Sequence, residues 1–69
     1  MFDMKEIGER IRAVRKKAGL SQKEFGQRLT GKFSINTISY WEKGKQGITL
    51  ENLFNIKEAF NVDWKDLLP

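Results

Sequence analysis

The sequence predicts an all-α fold, a compact bundle of five helices, from three observations. One start signal recurs five times in 69 residues: an apolar residue, a capping residue, three further residues and a second apolar residue. That order places an N-cap between the two apolar members of a hydrophobic staple. Between the starts, apolar residues follow the i, i+3, i+4 rhythm of helical faces, and no stretch alternates with period two. Pro69, the sole proline, stands at the end and breaks none of these segments.

The first helix is predicted over residues 4–18, with Met4, Ile7, Ile11, Val14 and Ala18 on one face. Asp3 is its cap, Glu6 stands at N3, and Phe2 is set against Ile7 as the staple. Glu6 and Glu9 lie early and Arg15, Lys16 and Lys17 late, an order that suits the helix dipole. Gly19 is the stop.

The second helix is predicted over residues 22–30, with Ser21 and Glu24 as a capping box, Leu20 and Phe25 as the staple, and Phe25 and Leu29 inward. Gly26 in its interior costs up to about 1 kcal/mol relative to alanine, which implies a close approach by another helix. Gly31 is expected to supply the left-handed residue that ends it.

The third helix, residues 35–43, opens on Ser34 with Phe33 and Ile38 as the staple and stops at Gly44. At 100° per residue, Ile38 and Trp41 fall with Thr37 on one side. Ile35, Asn36, Ser39, Tyr40 and Lys43 spread over the other, a polar and aromatic face that no core explains. The fourth helix, residues 50–60, opens on Ile48-Thr49 with Leu53, turns Leu50, Leu53, Ile56 and Phe60 inward, and stops at Asn61. Val62-Asp63 followed by Asp66-Leu67 opens a short fifth helix, residues 64–68. The second and third helices, joined by a tight glycine-containing turn, have the form of a helix-turn-helix.

At 69 residues the chain makes a single domain near the lower size for an unstapled core. Without cysteine or histidine it can form no disulfide and no ordinary zinc site. No apolar run has the roughly 18 residues of a membrane span, and no signal-peptide pattern opens the chain. The formal charge is +4, distributed unevenly: residues 1–47 hold 11 basic and 5 acidic residues, residues 48–69 hold 2 and 4. A basic amino-terminal two-thirds suits a polyanionic partner. An ordinary lysine-rich solvated surface would give the same totals.

The segments IGERIRAVRKKAGLSQ, F-G-x-x-L, TISYWEKGK and ITLENLFNIKEAFNV, with the closing N-V-D-W-x-x-L-L, resemble the Cro/CI-type helix-turn-helix family, the lambda-repressor-like DNA-binding domains. The resemblance covers nearly the whole chain. It implies a five-helix, lambda-repressor-like bundle whose second and third helices form the helix-turn-helix. It further implies a cytoplasmic transcription regulator, a repressor of prokaryotic or phage type, that binds double-stranded DNA as a homodimer on an inverted-repeat operator. Half-sites one helical turn apart would set the two recognition helices about 34 Å apart. One departure stands out. The family joins the two helices by about three residues, of the form Gly-Val-Ser, whereas Leu29 is followed by Thr30-Gly31-Lys32-Phe33-Ser34, about two residues more.

By alignment to the family, Ile35, Asn36, Ser39 and Tyr40 match the positions that read base edges. Asn36 suits an adenine edge, Ser39 several bases, Ile35 a thymine methyl, and Tyr40 a base or a phosphate. Gln22 matches the family glutamine at the start of the second helix that touches a phosphate, and that helix end offers free N–H groups. Lys23, Lys32, Lys43 and Lys45 are within reach of the DNA backbone in such a docking, though each can equally be only solvated. Arg15 and Glu42 match a family ion pair and are structural, as Trp41 is. Arg10 and Arg12 fit either a site or a structural role, with a solvated helix face the preferred reading.

The competing class is a protein-interaction module on the same scaffold, such as an antitoxin or adaptor. Phe60, Val62, Trp64, Leu67 and Leu68 would then serve a partner instead of closing the core. An enzyme is disfavoured: there is no histidine, cysteine or glycine-rich phosphate loop. No metal, cofactor or membrane surface is expected.

Overall fold

The computed structural model describes residues 3–69, and among these it contains five helices and no strand. They are α1 (Met4–Lys17), α2 (Gln22–Arg28), α3 (Ile35–Lys43), α4 (Leu50–Phe60) and α5 (Trp64–Leu67). Each starts where its cap places it. The hydroxyls of Ser21, Ser34 and Thr49 accept the backbone N–H three residues on, at 3.1, 3.3 and 3.1 Å. Asp3 accepts the Lys5 N–H at 2.9 Å. The carboxylates of Glu24 and Asp66 accept back from the Ser21 and Asp63 N–H groups at 2.9 and 3.0 Å. The expected staple between Phe2 and Ile7 lies outside the described residues.

The Ser21 N–H, and after it the Ser21 hydroxyl, hold the Glu24 carboxyl below the ordinary carboxylate range. A lowered folded-state value means that this support is present at neutral pH and lost as pH falls through that value. Left-handed Gly44 and Asn61 cap α3 and α4, and left-handed Gly19 follows Ala18, the cap of α1, as their positions predict.

The core draws on every element. Ile7, Ile11 and Val14 come from α1, Phe25 from α2, Leu29 from the residue after it, Ile38 and Trp41 from α3, Leu53 and Ile56 from α4, and Leu67 from α5. Phe60, Val62, Trp64 and Leu68 pack half-buried around it, and the Phe60 ring stacks on Phe25 at 4.7 Å. These carboxy-terminal residues therefore close the core. Arg10 adds a tie between α1 and α5, its guanidinium donating to the Lys65 carbonyl at 3.0 Å. This corrects the reading of Arg10 as merely solvated.

Three expectations on packing need correction. Leu50 points outward and is 68 % exposed. It occupies the first turn of α4, and Ile48, the residue before the cap, packs on the core instead. Ala18 is exposed because α1 ends at Lys17. Finally, α2 ends at Arg28, two residues early, with Leu29 already extended. Burying Leu29 from that extended backbone replaces a last helical turn. The Gly26 carbonyl accepts the Phe33 N–H at 3.0 Å, which reverses the chain. Gly31 has the expected positive φ of 91°, but within the turn, and Lys32 follows it with φ 49°.

Three glycines are set by close approach to backbone, among them Gly44, where an added carbon would fall on Lys5 at the start of α1. A side-chain carbon on Gly26 would fall on the Phe33 carbonyl and lie 3.3 Å from the Ile38 side chain of α3, so the expected helix does approach, with the turn backbone nearer still. One on Gly8 would fall on the Trp41 and Glu42 carbonyls, where α1 crosses α3. In neither case is the nearest obstacle a side chain that can swing away. Gly8→Ala and Gly26→Ala should therefore each cost about 3 kcal/mol, the upper part of the range for overpacking. Gly19→Ala, with open space around it, should cost about 1 kcal/mol from backbone strain alone. Urea denaturation midpoints check the order; equal midpoints for all three would contradict the packing described.

Candidate nucleic-acid interface

The exposed face of α3 follows from what its other face must do. Ile38 and Trp41 are buried, the Trp41 ring meeting Phe33 at 5.0 Å, and Glu42 is buried beside them. Glu42 receives the Arg15 guanidinium in bidentate fashion, Nε to Oε2 at 2.6 Å and Nη2 to Oε1 at 3.1 Å. The remaining Arg15 nitrogen donates to the Leu20 carbonyl at 3.0 Å. One cluster thus joins α1, the α1–α2 junction and α3. Among the described residues no buried side-chain nitrogen or oxygen lacks a hydrogen-bond partner.

With that side committed, helical geometry turns the opposite residues outward. Ile35 and Tyr40 are each 46 % exposed, Asn36 and Lys43 are exposed, and Ser39 is half-buried. All five residues singled out on this helix share one accessible surface, except that Ser39 lies deeper than the rest. An isoleucine and a tyrosine held out of the core beside lysine and asparagine make a surface able to take both apolar and hydrogen-bonding contacts.

The residues around it are distributed as follows. Lys23 from α2 and Ser34, Ile35 and Asn36 from the start of α3 line one open cleft. Gln27 lines it too. The sequence reading passed over Gln27, although an outward polar residue one helical turn beyond Lys23 was the available signal. Lys32 is exposed on the turn, and Lys45 is exposed just after the Gly44 cap, its N–H donating to the Tyr40 carbonyl at 3.0 Å. Gln22 differs from expectation in part. It is half-buried, and its side-chain amide donates to Glu42 Oε1 at 3.2 Å, so it belongs to the ion-pair cluster. The free N–H groups expected at the start of α2 are also fewer, because the Glu24 N–H is taken by Ser21.

Beside the Arg15 bond to Leu20, two further contacts to carbonyls have no counterpart in the sequence pattern. One is Arg10 on Lys65. The other is Asn55 of α4, whose side-chain amide bonds both the N–H and the carbonyl of Thr30, at 3.1 and 2.8 Å. A polar residue between core residues Leu53 and Ile56 was its only sign in the sequence.

Removing Arg15 would leave the Glu42 carboxylate buried without its main partner, which costs about 3–5 kcal/mol. Arg15→Met should therefore unfold much of the protein at room temperature. Arg15→Met combined with Glu42→Leu should recover most of the loss, read from urea midpoints. A double variant no better than Arg15→Met would show that the pair does not act as a unit.

Comparison with known proteins agrees with this architecture. The helix-turn-helix family profile matches residues 11–67. Among solved structures, the DNA-binding domain of BldD superposes with a TM-score of 0.86 at 25% identity, covering 97% of this chain and 94% of that one. The S. venezulae BldD DNA-binding domain gives 0.85 at 25% identity, with 97% of each chain covered. The restriction-modification controller protein C.AhdI from Aeromonas hydrophila gives 0.81 at 26% identity, covering 94% of this chain and 91% of that one. No curated protein sequence matches the chain. With the family profile spanning most of its length and the five-helix arrangement in place, the chain belongs to the Cro/CI-type helix-turn-helix family.

Proposed function

We propose that this protein is a sequence-specific, double-stranded-DNA-binding transcription regulator, a repressor whose α3 enters the major groove. The observation that carries the reading is the outward Ile35, Asn36, Tyr40 and Lys43 on a helix whose other face is fixed in the core. The related solved structures are DNA-binding domains in the case of BldD, and a restriction-modification controller in the case of C.AhdI. In the helix-turn-helix docking the amino end of the second helix of the motif meets the base edges and the first crosses the backbone.

In that docking Ile35, Asn36, Ser39 and Tyr40 read bases, and Lys23, Lys32, Lys43 and Lys45 neutralise phosphates. Gln22 keeps a phosphate contact only as a neighbour of the Glu42 cluster. The site is an inverted repeat read by a homodimer. The net basic charge of residues 1–47 favours encounter with the polyanion. A second reading, a protein-interaction module, draws on α4, where Leu50 is 68 % and Phe54 50 % exposed.

DNA affinity should fall linearly with salt on logarithmic axes, and four neutralising lysines imply a slope of about −3.6 per protomer. Salt-independent affinity would contradict the reading. Asn36→Ala and Tyr40→Ala should each reduce preference for the best duplex over an unrelated one about tenfold, with nonspecific affinity nearly unchanged. Lys45→Ala should weaken both duplexes about equally. Unchanged preference in Asn36→Ala would remove that side chain from base reading.

A further inference from the structure

Thr30 stands just beyond the end of α2, where the helix no longer supplies partners for its peptide groups. Asn55 supplies both. Its Oδ1 accepts the Thr30 N–H at 3.1 Å, and its Nδ2 donates to the Thr30 carbonyl at 2.8 Å. A side-chain amide carries one acceptor and one donor side by side, so it can pair with a residue's N–H and carbonyl as a neighbouring strand would. Neither a carboxylate nor an aliphatic side chain can do this. The contact links residues 25 apart in sequence and reaches out of the helix-turn-helix to α4.

The connection to α3 is then held near both ends. Asn55 holds Thr30, and the Gly26 carbonyl holds Phe33 through its N–H at 3.0 Å. Between them lie Gly31 and Lys32, both with positive φ, and the Lys32 N–H is itself held by the Leu29 carbonyl at 3.0 Å. Glycine leaves many paths open, so the route of this stretch depends on its anchors. The carboxy-terminal half of α3 has its own anchor in Glu42 and Arg15, and its amino end follows directly from the turn.

We propose that Asn55 is a positioning residue for sequence reading. By pinning Thr30 it sets the path of the turn, and through the turn the placement of Lys32, Ile35 and Asn36 on the duplex. The proposal rests on the DNA-binding reading above. Both Asn55 bonds are solvent-accessible, so water can replace them and folding loses little when they go. Base-edge hydrogen bonds weaken steeply with misplacement, so selectivity loses more. A residue with a purely structural role would show the reverse.

The test uses Asn55→Ala in the full chain, with Asn52→Ala on the same helix as the control. Dissociation constants are measured for the tightest duplex selected from a random pool and for a scrambled duplex, alongside urea midpoints. The expected result for Asn55→Ala is an approximately tenfold fall in the ratio of the two affinities, with scrambled-duplex binding within about twofold of the parent. Asn52→Ala should leave the ratio unchanged. Combined with Asn36→Ala, the loss in ratio should be less than additive, because both act on the amino end of α3. An unchanged ratio, an equal loss on both duplexes, or failure of Asn55→Ala to fold would each overturn the proposal. If the parent protein itself prefers no duplex, the DNA-binding reading fails, and the proposal falls with it.

Discussion

The arrangement depends on the buried pair between Arg15 and Glu42. Its bidentate geometry fixes direction as well as distance, because a planar guanidinium meets a planar carboxylate edge to edge. The third Arg15 contact, on Leu20, and the Gln22 amide on Glu42 extend that constraint to the α1–α2 junction and the start of α2. Such a pair adds little to stability, since desolvating two charges offsets most of their attraction. What it supplies is orientation. Gly8 is the necessary companion: with no side chain there, the α1 backbone comes close enough to α3 for the pair to close.

The functional surface is a consequence of this constraint. Once Ile38, Trp41 and Glu42 face inward, the helical repeat leaves Ile35, Asn36, Tyr40 and Lys43 outside. The side chains proposed to read DNA are thus oriented by residues buried behind them. The two ends of α3 are governed separately, its carboxy-terminal half by the ion pair and its amino end by the turn that Asn55 and Gly26 hold. The turn between α2 and α3 has its own support from α4.

Helix starts were legible in the sequence because capping is local. Ser21, Ser34 and Thr49 find their partners within three residues, so the sequence contains the whole interaction. The Arg15–Glu42 pair was legible only through family resemblance, since nothing in the spacing of two residues 27 apart implies contact. What was not legible depends on tertiary placement. The early end of α2 is set by the burial of Leu29 and the bond from Phe33 to Gly26, against a local pattern that would carry the helix further. Leu50 satisfies the helical stripe but lies at the edge of the bundle, where Ile48 packs instead. Gly26 faces the expected helix through Ile38, but its nearest neighbour is a carbonyl of the turn, which the sequence pattern does not show. Asn55 is a polar residue between the core positions Leu53 and Ile56, and its partner is a backbone that takes shape only after folding.

On the proposed reading, the outward face of α3 is the surface that meets the bases of DNA. Titration of isotopically labelled protein with its selected duplex, followed by amide chemical shifts, tests it most directly. The largest changes should centre on residues 34–40, with smaller ones at Lys32 and Lys45, while α4 around Leu50 and Phe54 stays unperturbed. Changes centred on Leu50 and Phe54, with α3 unchanged, would contradict it.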